Sequence, residues 1–349
     1  MTSPSSTVDH SCAATISAVH PDVIGAHILT RLDGPTLASA AATSSQLHSL
    51  SREPSLWENI CRSTWPSTAS PRVSQVISSF PGGHRSFFSD SFPLPINHDD
   101  HSNQAINLDR TPELISAVDV HYRGKLILSK VVETETSSGW FRCSPFRVDL
   151  LHPKDVVPTE IPYPRGDDTC RDLAEGLTLS WIVIDPIGRR SMNLSSHRPV
   201  EAQRHWLSGE VHVRFSAVLL GSSSEFTQCG VQLTCGGWSH CGGGGEEFLQ
   251  VREVCLVVED MDGTHLKGRE SLVILQRALE GKRGKGGKMR EEEGRKRCQE
   301  YLERKRERKE RRLRTEGALD IVFAFFFGAF AFSLLSVGIF QGVKGITYW

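Results

Sequence analysis

The chain has 349 residues, 38% of them hydrophobic and 23% charged, which suits one sizeable core and excludes a wholly disordered chain. Its net charge is −1, yet sixteen Lys/Arg against seven Asp/Glu fall between positions 282 and 314, a local +9 that leaves −10 for the remainder. That balance excludes a protein that binds polyanions over its whole surface, and nine scattered Cys without a C-x-x-C exclude a dense disulfide framework and fit a reducing compartment.

Residues 1–19 are polar and rich in Ser, Thr and Ala, with no apolar stretch after a basic start, so they are expected to be a disordered leader rather than a secretory signal. Residues 20–66 carry short helical patterns. Residues 67–112 are rich in Ser, Pro, Gly, Asn and Asp and are expected to be a linker. From 113 to 265 the pattern turns to short β-branched and aromatic runs bounded by Gly, Pro, Asp or Ser. The expected strands are Ser116–Tyr122, Lys125–Glu133, Trp140–Leu150, Leu177–Ile184, Glu210–Leu219, Phe226–Thr234 and Phe248–Glu259. So many strands with few helices between them predict an antiparallel, sandwich-like domain. Residues 266–316 hold a helix over Arg269–Leu279, a Gly/Lys break, and a long charged helix over Arg290–Glu316, in which Glu300/Arg304, Glu307/Arg311 and Glu310/Arg314 stand at i, i+4. The fold class expected is α+β and multidomain: a small helical module, a β-rich domain, a long basic helix and a C-terminal transmembrane helix.

In the helical module, Pro21 suits a first helical turn, and Ile24, Ile28 and Leu32 follow at i, i+4, i+8 with Leu29 beside them. Asp33-Gly34-Pro35 ends that helix and opens another, lined by Leu37, Ala40 and Ala41. Ser55 and Glu58 have the spacing of a capping box, and Trp57, Cys61 and Trp65 repeat every four residues. A module this short makes a poor core by itself, so either the rest of the chain or a partner must complete it.

The run HPDVIGAHILTRLDGPTLASAAATSSQLHSLSREPSLWENICRSTWP resembles the F-box, in particular that of a plant F-box family. The resemblance rests on Pro21, Ile24, Ile28, Leu29, Leu32-Asp33, Leu37 and Leu56-Trp57. It extends through SWIVIDPIGRRSMNLSSHRPVEAQRHWLSGEVHVRF and VEDMDGTHLKGRESLVILQRALEGKR, and so covers about residues 20–315. It departs from the general motif at His20, where many F-boxes have Leu, and at Ser44-Ser45-Gln46-Leu47. The resemblance implies a non-catalytic substrate-recognition subunit of a ubiquitin ligase of the Skp-cullin-F-box type. Pro21, Ile24, Ile28, Leu29, Leu32 and Leu37 would dock on a Skp-type adaptor and through it on cullin, and the β-rich domain would select an unknown target. Trp57 and Trp65 would hold the module together. The alternative is a membrane-anchored interaction or ligand-binding protein that works outside the ligase.

No catalytic motif stands out, and no cofactor or metal is expected. Cys229, Cys235, His240 and Cys241 offer donor atoms, but Cys-x5-Cys departs from the usual zinc knuckle. His98-Asp99-Asp100-His101 lies in the polar stretch. Trp181, Trp206 and Phe215 are either core or the lining of a groove.

Residues 321–340, from Ile321 to Phe340, carry no charge and are long enough for a bilayer core of about 30 Å. The basic flank before them, with Tyr348 and Trp349 after, predicts a single-pass C-terminal anchor with the N-terminal part cytosolic. The alternative location is cytoplasm or nucleus. Glu alternates with Arg in the basic helix, so no nucleic-acid partner is expected.

Overall fold

A computed structural model describes residues 19–91, 107–221, 225–239, 247–281 and 287–346, with the side chains of the last segment described over 296–331. The expected leader, the His98–His101 cluster, and His240 with Cys241 lie outside the described residues.

Among the described residues, ten strands form two antiparallel sheets. They are β1 (Glu113–Tyr122), β2 (Lys125–Glu135), β3 (Arg147–Asp149), β4 (Val157–Pro162), β5 (Leu177–Asp185), β6 (Arg190–Asn193), β7 (Glu201–Arg204), β8 (Val211–Leu220), β9 (Phe226–Trp238) and β10 (Phe248–Glu259). The smaller sheet has the order β2-β1-β5-β6. The larger has β3-β10-β9-β8-β7, with β4 also on the β10 edge. Arg123 and Gly124, both at positive φ, make the β1–β2 hairpin turn.

The two sheets face each other across the main core. Leu114, Val118, Val120, Leu179, Trp181 and Val183 of the smaller sheet meet Val213, Phe215, Val231, Leu233, Val254 and Leu256 of the larger. A helix over Gly268–Glu280 closes this core with Leu272, Leu275 and Leu279. The run expected as a strand over Trp140–Leu150 instead forms a short helix, Gly139–Cys143, before β3. Ser138 supplies the reason, since its side chain accepts the Phe141 N–H and caps that helix.

The smaller sheet is buried on its other face as well. Leu114 to Val120 are all buried, and the residues between the core positions, Ile115 and Ala117 of β1 with Ile182 and Ile184 of β5, pack under a helical layer. That layer holds the residue 20–66 helices and two more, Pro71–Ser78 and Gly83–Ser91, in the stretch expected to be a linker. Val73, Val76, Ile77, Phe87 and Phe88 from these two helices, and Phe80 between them, are buried in one cluster with Trp57 and Trp65. Gly34 is tight against the layer: a Cβ there would lie 2.1 Å from the Phe88 ring.

Polar pairs fasten the helical layer to the sheet. The buried Asp119 carboxylate accepts the Ser67 N–H at 2.9 Å, the Ser67 hydroxyl at 2.5 Å and the Ser129 hydroxyl at 2.7 Å. Trp65 Nε1 donates to Ser180 at 3.2 Å, and Arg72 pairs with Glu113 at 2.9 Å. Asp90 pairs with Arg190 at 3.1 Å.

The final helix runs over Gly287–Ile346. Its early part seats on the sandwich through Tyr301, which is fully buried and donates its hydroxyl to the Asp260 carbonyl at 3.0 Å. From Arg311 to Ala331 every residue is exposed. The expected transmembrane helix over Ile321–Phe340, and with it the single-pass anchor, is corrected: among the described residues no helix is long and apolar enough to cross a membrane. The apolar run continues a charged helix without a break.

Asp119→Ala is expected to lower unfolding stability by about 3 kcal/mol, because it strands three donors at a buried interface. Burial raises the Asp119 carboxyl above its ordinary 3.8, against the hydrogen bonds from Ser67 and Ser129. A carboxyl raised on folding binds more protons in the folded state, so its contribution is full below 3.8 and lost as pH rises through the folded value. Thermal melts across acid pH should lose that downward slope in Asp119→Asn. An unaltered pH profile in the variant would refute this role.

Candidate functional site

The exposed outer surface of the helical layer is where the described chain leaves apolar side chains near its N-terminal end. Its first segment changes helix type within eleven residues. Pro21–Val23 is α-helical, Ile24–Ile28 is a π-turn, and Leu29–Arg31 is a 3₁₀ turn. In the π-turn the Leu29 N–H donates to the Ile24 carbonyl, so the inward repeat becomes i, i+5. Ile24 and Leu29 are therefore fully buried, while Ile28 is 39% and Val23 45% exposed. A regular α-helical reading through Ile24, Ile28 and Leu32 misses this shift, and so it missed Val23.

The six residues expected to form the docking face thus separate. Pro21 and Ile28 are exposed and Leu32 is half-buried. Ile24, Leu29 and Leu37 point into the core beneath. Asp33 caps the next helix, Gly34–Ala41, by accepting the Thr36 N–H at 2.9 Å. That helix turns Leu37 and Ala41 inward and leaves Ala38 and Ala42 on the surface.

The two tryptophans tie this module from within. Trp57 Nε1 donates to the Ser51 carbonyl at 2.7 Å, and its ring lies 5.5 Å from Phe88. Trp65 meets Phe87 edge-on at 5.9 Å. The helix carrying Trp57 begins at Pro54, so Ser55 lies inside its first turn rather than at the cap. Cys61, on the same helix, is buried, and burial pushes its thiol up to about 12.

Other candidates take clear places. Trp181 and Phe215 are fully buried core residues, whereas Trp206 is 87% exposed in the β7–β8 connection. Burial pushes the Cys229 and Cys235 thiols up to about 12, so they stay protonated at neutral pH and are poor metal ligands. Among the described residues Asp149, Glu253 and Cys255 have ligand atoms within 4.8 Å of one another. Arg147 already holds both carboxylates there, with Asp149 at 2.7 Å, and the Cys255 thiol is pushed up to about 11 by burial.

Comparison with known proteins gives this geometry its setting. A family model described as F-box-like matches residues 21–63. A probable F-box protein of Arabidopsis thaliana is 50% identical over 337 residues, covering 96% of this chain and 95% of that protein. Two F-box proteins of the same plant are 46% and 47% identical, over 91% and 83% of this chain and 96% and 80% of their own lengths. No solved structure matches the chain. The described residues define an F-box-like helical module built onto a two-sheet β domain. The chain belongs to the plant F-box protein family.

Hydrogen bonds from the Thr36 hydroxyl and backbone N–H hold the Asp33 carboxyl below the ordinary carboxylate range. A depressed carboxyl stabilises the fold above its ordinary value and loses that contribution as pH falls through the folded one. Asp33→Ala should then cost about 1 kcal/mol at neutral pH and progressively less in acid. Denaturant titration of both proteins at two pH values measures this, and equal losses at both would count against the cap.

Proposed function

We propose that this F-box protein is the substrate-recognition subunit of a ubiquitin ligase of the Skp-cullin-F-box type. The F-box-like match over 21–63 carries the reading. In it, Pro21, Val23, Ile28 and Leu32 meet a Skp-type adaptor, and through it cullin. Ile24, Leu29 and Leu37 shape that face from below. The β domain selects the target, and the chain contributes positioning rather than bond chemistry.

The exposed side chains support this division. Val23 and Ile28 sit on a first segment whose inner residues are fully buried, so their backbone is held whether or not a partner is present. A surface ordered in advance loses less conformational entropy on binding. The same attachment holds the adaptor-facing surface in one orientation relative to the sandwich, which would present a bound target at a set distance.

Val23→Asp together with Ile28→Asp should weaken co-purification with a Skp-type adaptor by at least about tenfold, or about 1.4 kcal/mol. Melting should scarcely move, because both positions are exposed. Leu29→Asp, by contrast, should unfold the helical layer. Retention of the adaptor by the folded double variant would rule out this docking face.

A further inference from the structure

Where the final helix leaves the sandwich, a trough lies along both of its sides. One lobe, of about 290 Å³, is bordered by Phe226, Met261, Arg304, Arg308 and Arg311. The other, of about 420 Å³, is bordered by Met261, Lys305, Arg308, Lys309, Arg312 and Leu313. Met261 of the β domain and Arg308 of the final helix border both lobes.

The cations of this trough are unequally committed. Arg308 pins the helix, with Glu225 at 2.7 Å and Asp262 at 3.5 Å. Lys305 reaches Glu259 at 3.5 Å and Arg312 reaches Glu316 at 2.9 Å. Arg304 has its guanidinium 5.2 Å from the centre of the Phe226 ring and makes no ion pair among the described residues. Lys309 also has no ion pair among the described residues. Each lobe thus holds one cation without a carboxylate. The six cations of the two lobes face four carboxylates, Glu225, Asp262, Glu307 and Glu316.

We propose that this trough is a docking site for an acidic peptide segment of a target protein, with Arg304 and Lys309 taking its carboxylates and Phe226 with Met261 taking an apolar side chain between them. The charge pattern favours a peptide over a continuous polyanion. A nucleic-acid backbone or an anionic lipid surface would bring like charge against the four carboxylates of the lobes, whereas a peptide can place its acids where the unpaired cations stand. The buried seat of Tyr301 and the Arg308 ion pairs hold the two walls together, so the site is built before the ligand arrives. The proposal rests on the reading of the chain as a target-selecting subunit and names the chemistry of the target.

The test uses the full chain and three probes: a fluorescein-labelled peptide alternating Glu with Leu, its counterpart with Gln in place of Glu, and labelled single-stranded RNA. Vesicles of phosphatidylcholine with phosphatidylserine serve as a fourth, by flotation. The Glu peptide should bind at least about tenfold more tightly than the Gln peptide, and about tenfold more weakly to Arg304→Glu/Lys309→Glu, with unchanged melting. Phe226→Ala should weaken the Glu peptide at every salt concentration, while added salt weakens it in the parent protein. Equal affinity for the two peptides, indifference to the charge reversal, or tighter binding of RNA or vesicles overturns the proposal. Adaptor capture by the same samples is read separately. Loss of peptide binding with the adaptor retained sinks the trough alone, and failure of the parent chain to capture adaptor sinks the ligase reading.

Discussion

The Asp119 carboxylate lies buried between the helical layer and the smaller sheet. It takes three hydrogen bonds, two from Ser67 on the helical side and one from Ser129 on the neighbouring strand. A buried carboxylate is costly unless its oxygens are satisfied, so this group tolerates one arrangement of helix and sheet and penalises others. Around it the outer face of β1 and β5 is aliphatic, and that face cannot be left in water. The smaller sheet is therefore the middle of three layers, with the larger sheet on one side and helices on the other.

The helical layer depends on that arrangement for its own core. The F-box-like residues contribute Ile24, Leu29, Leu37, Leu47, Leu56, Trp57, Ile60 and Cys61, with Trp65 just beyond them, which is little for an independent unit. The helices over 71–91 and the Ile115, Ala117, Ile182 and Ile184 face supply the rest. The chain thus completes its own small module, and the shortage of apolar residues in 20–66 is no sign of a missing partner. The family relationship and the outward placement of Val23 and Ile28 support adaptor docking instead.

Strand positions were readable because most runs are β-branched and end at Gly, Pro, Asp or Ser. Leu177–Ile184, Phe226–Thr234 and Phe248–Glu259 lie within β5, β9 and β10. The unbroken burial of Leu114–Val120 was not readable, since alternation in β1 suggests one wet face, whereas here the polar residues Ser116 and Asp119 are buried too. The helices over 71–91 were hidden by Ser, Gly and Pro, residues that mark loops when nothing packs on them. Here Pro71 sits in a first turn, Phe88 packs on Trp57 and Trp65, and Phe87 packs on Trp65, contacts that no local pattern reveals. Trp206 went the other way, an aromatic left in solvent at a strand connection.

By itself the sequence determined the order of the parts: a short helical module near the N-terminus, a run of antiparallel strands, a helix over 268–280 and a long charged helix with an apolar end. These follow from residue type and local period, which act within a few residues of chain. The tertiary structure decided which side of each part meets another. The π-turn at Ile24–Ile28 reverses the exposure that a regular helix would assign to Ile28. The outer face of the smaller sheet recruits the residues 71–91, and the final helix is held at Tyr301 and Arg308. Those outcomes rest on contacts between residues far apart in the chain, among them Ser67 with Asp119 and Trp65 with Ser180, whose energies no local window contains.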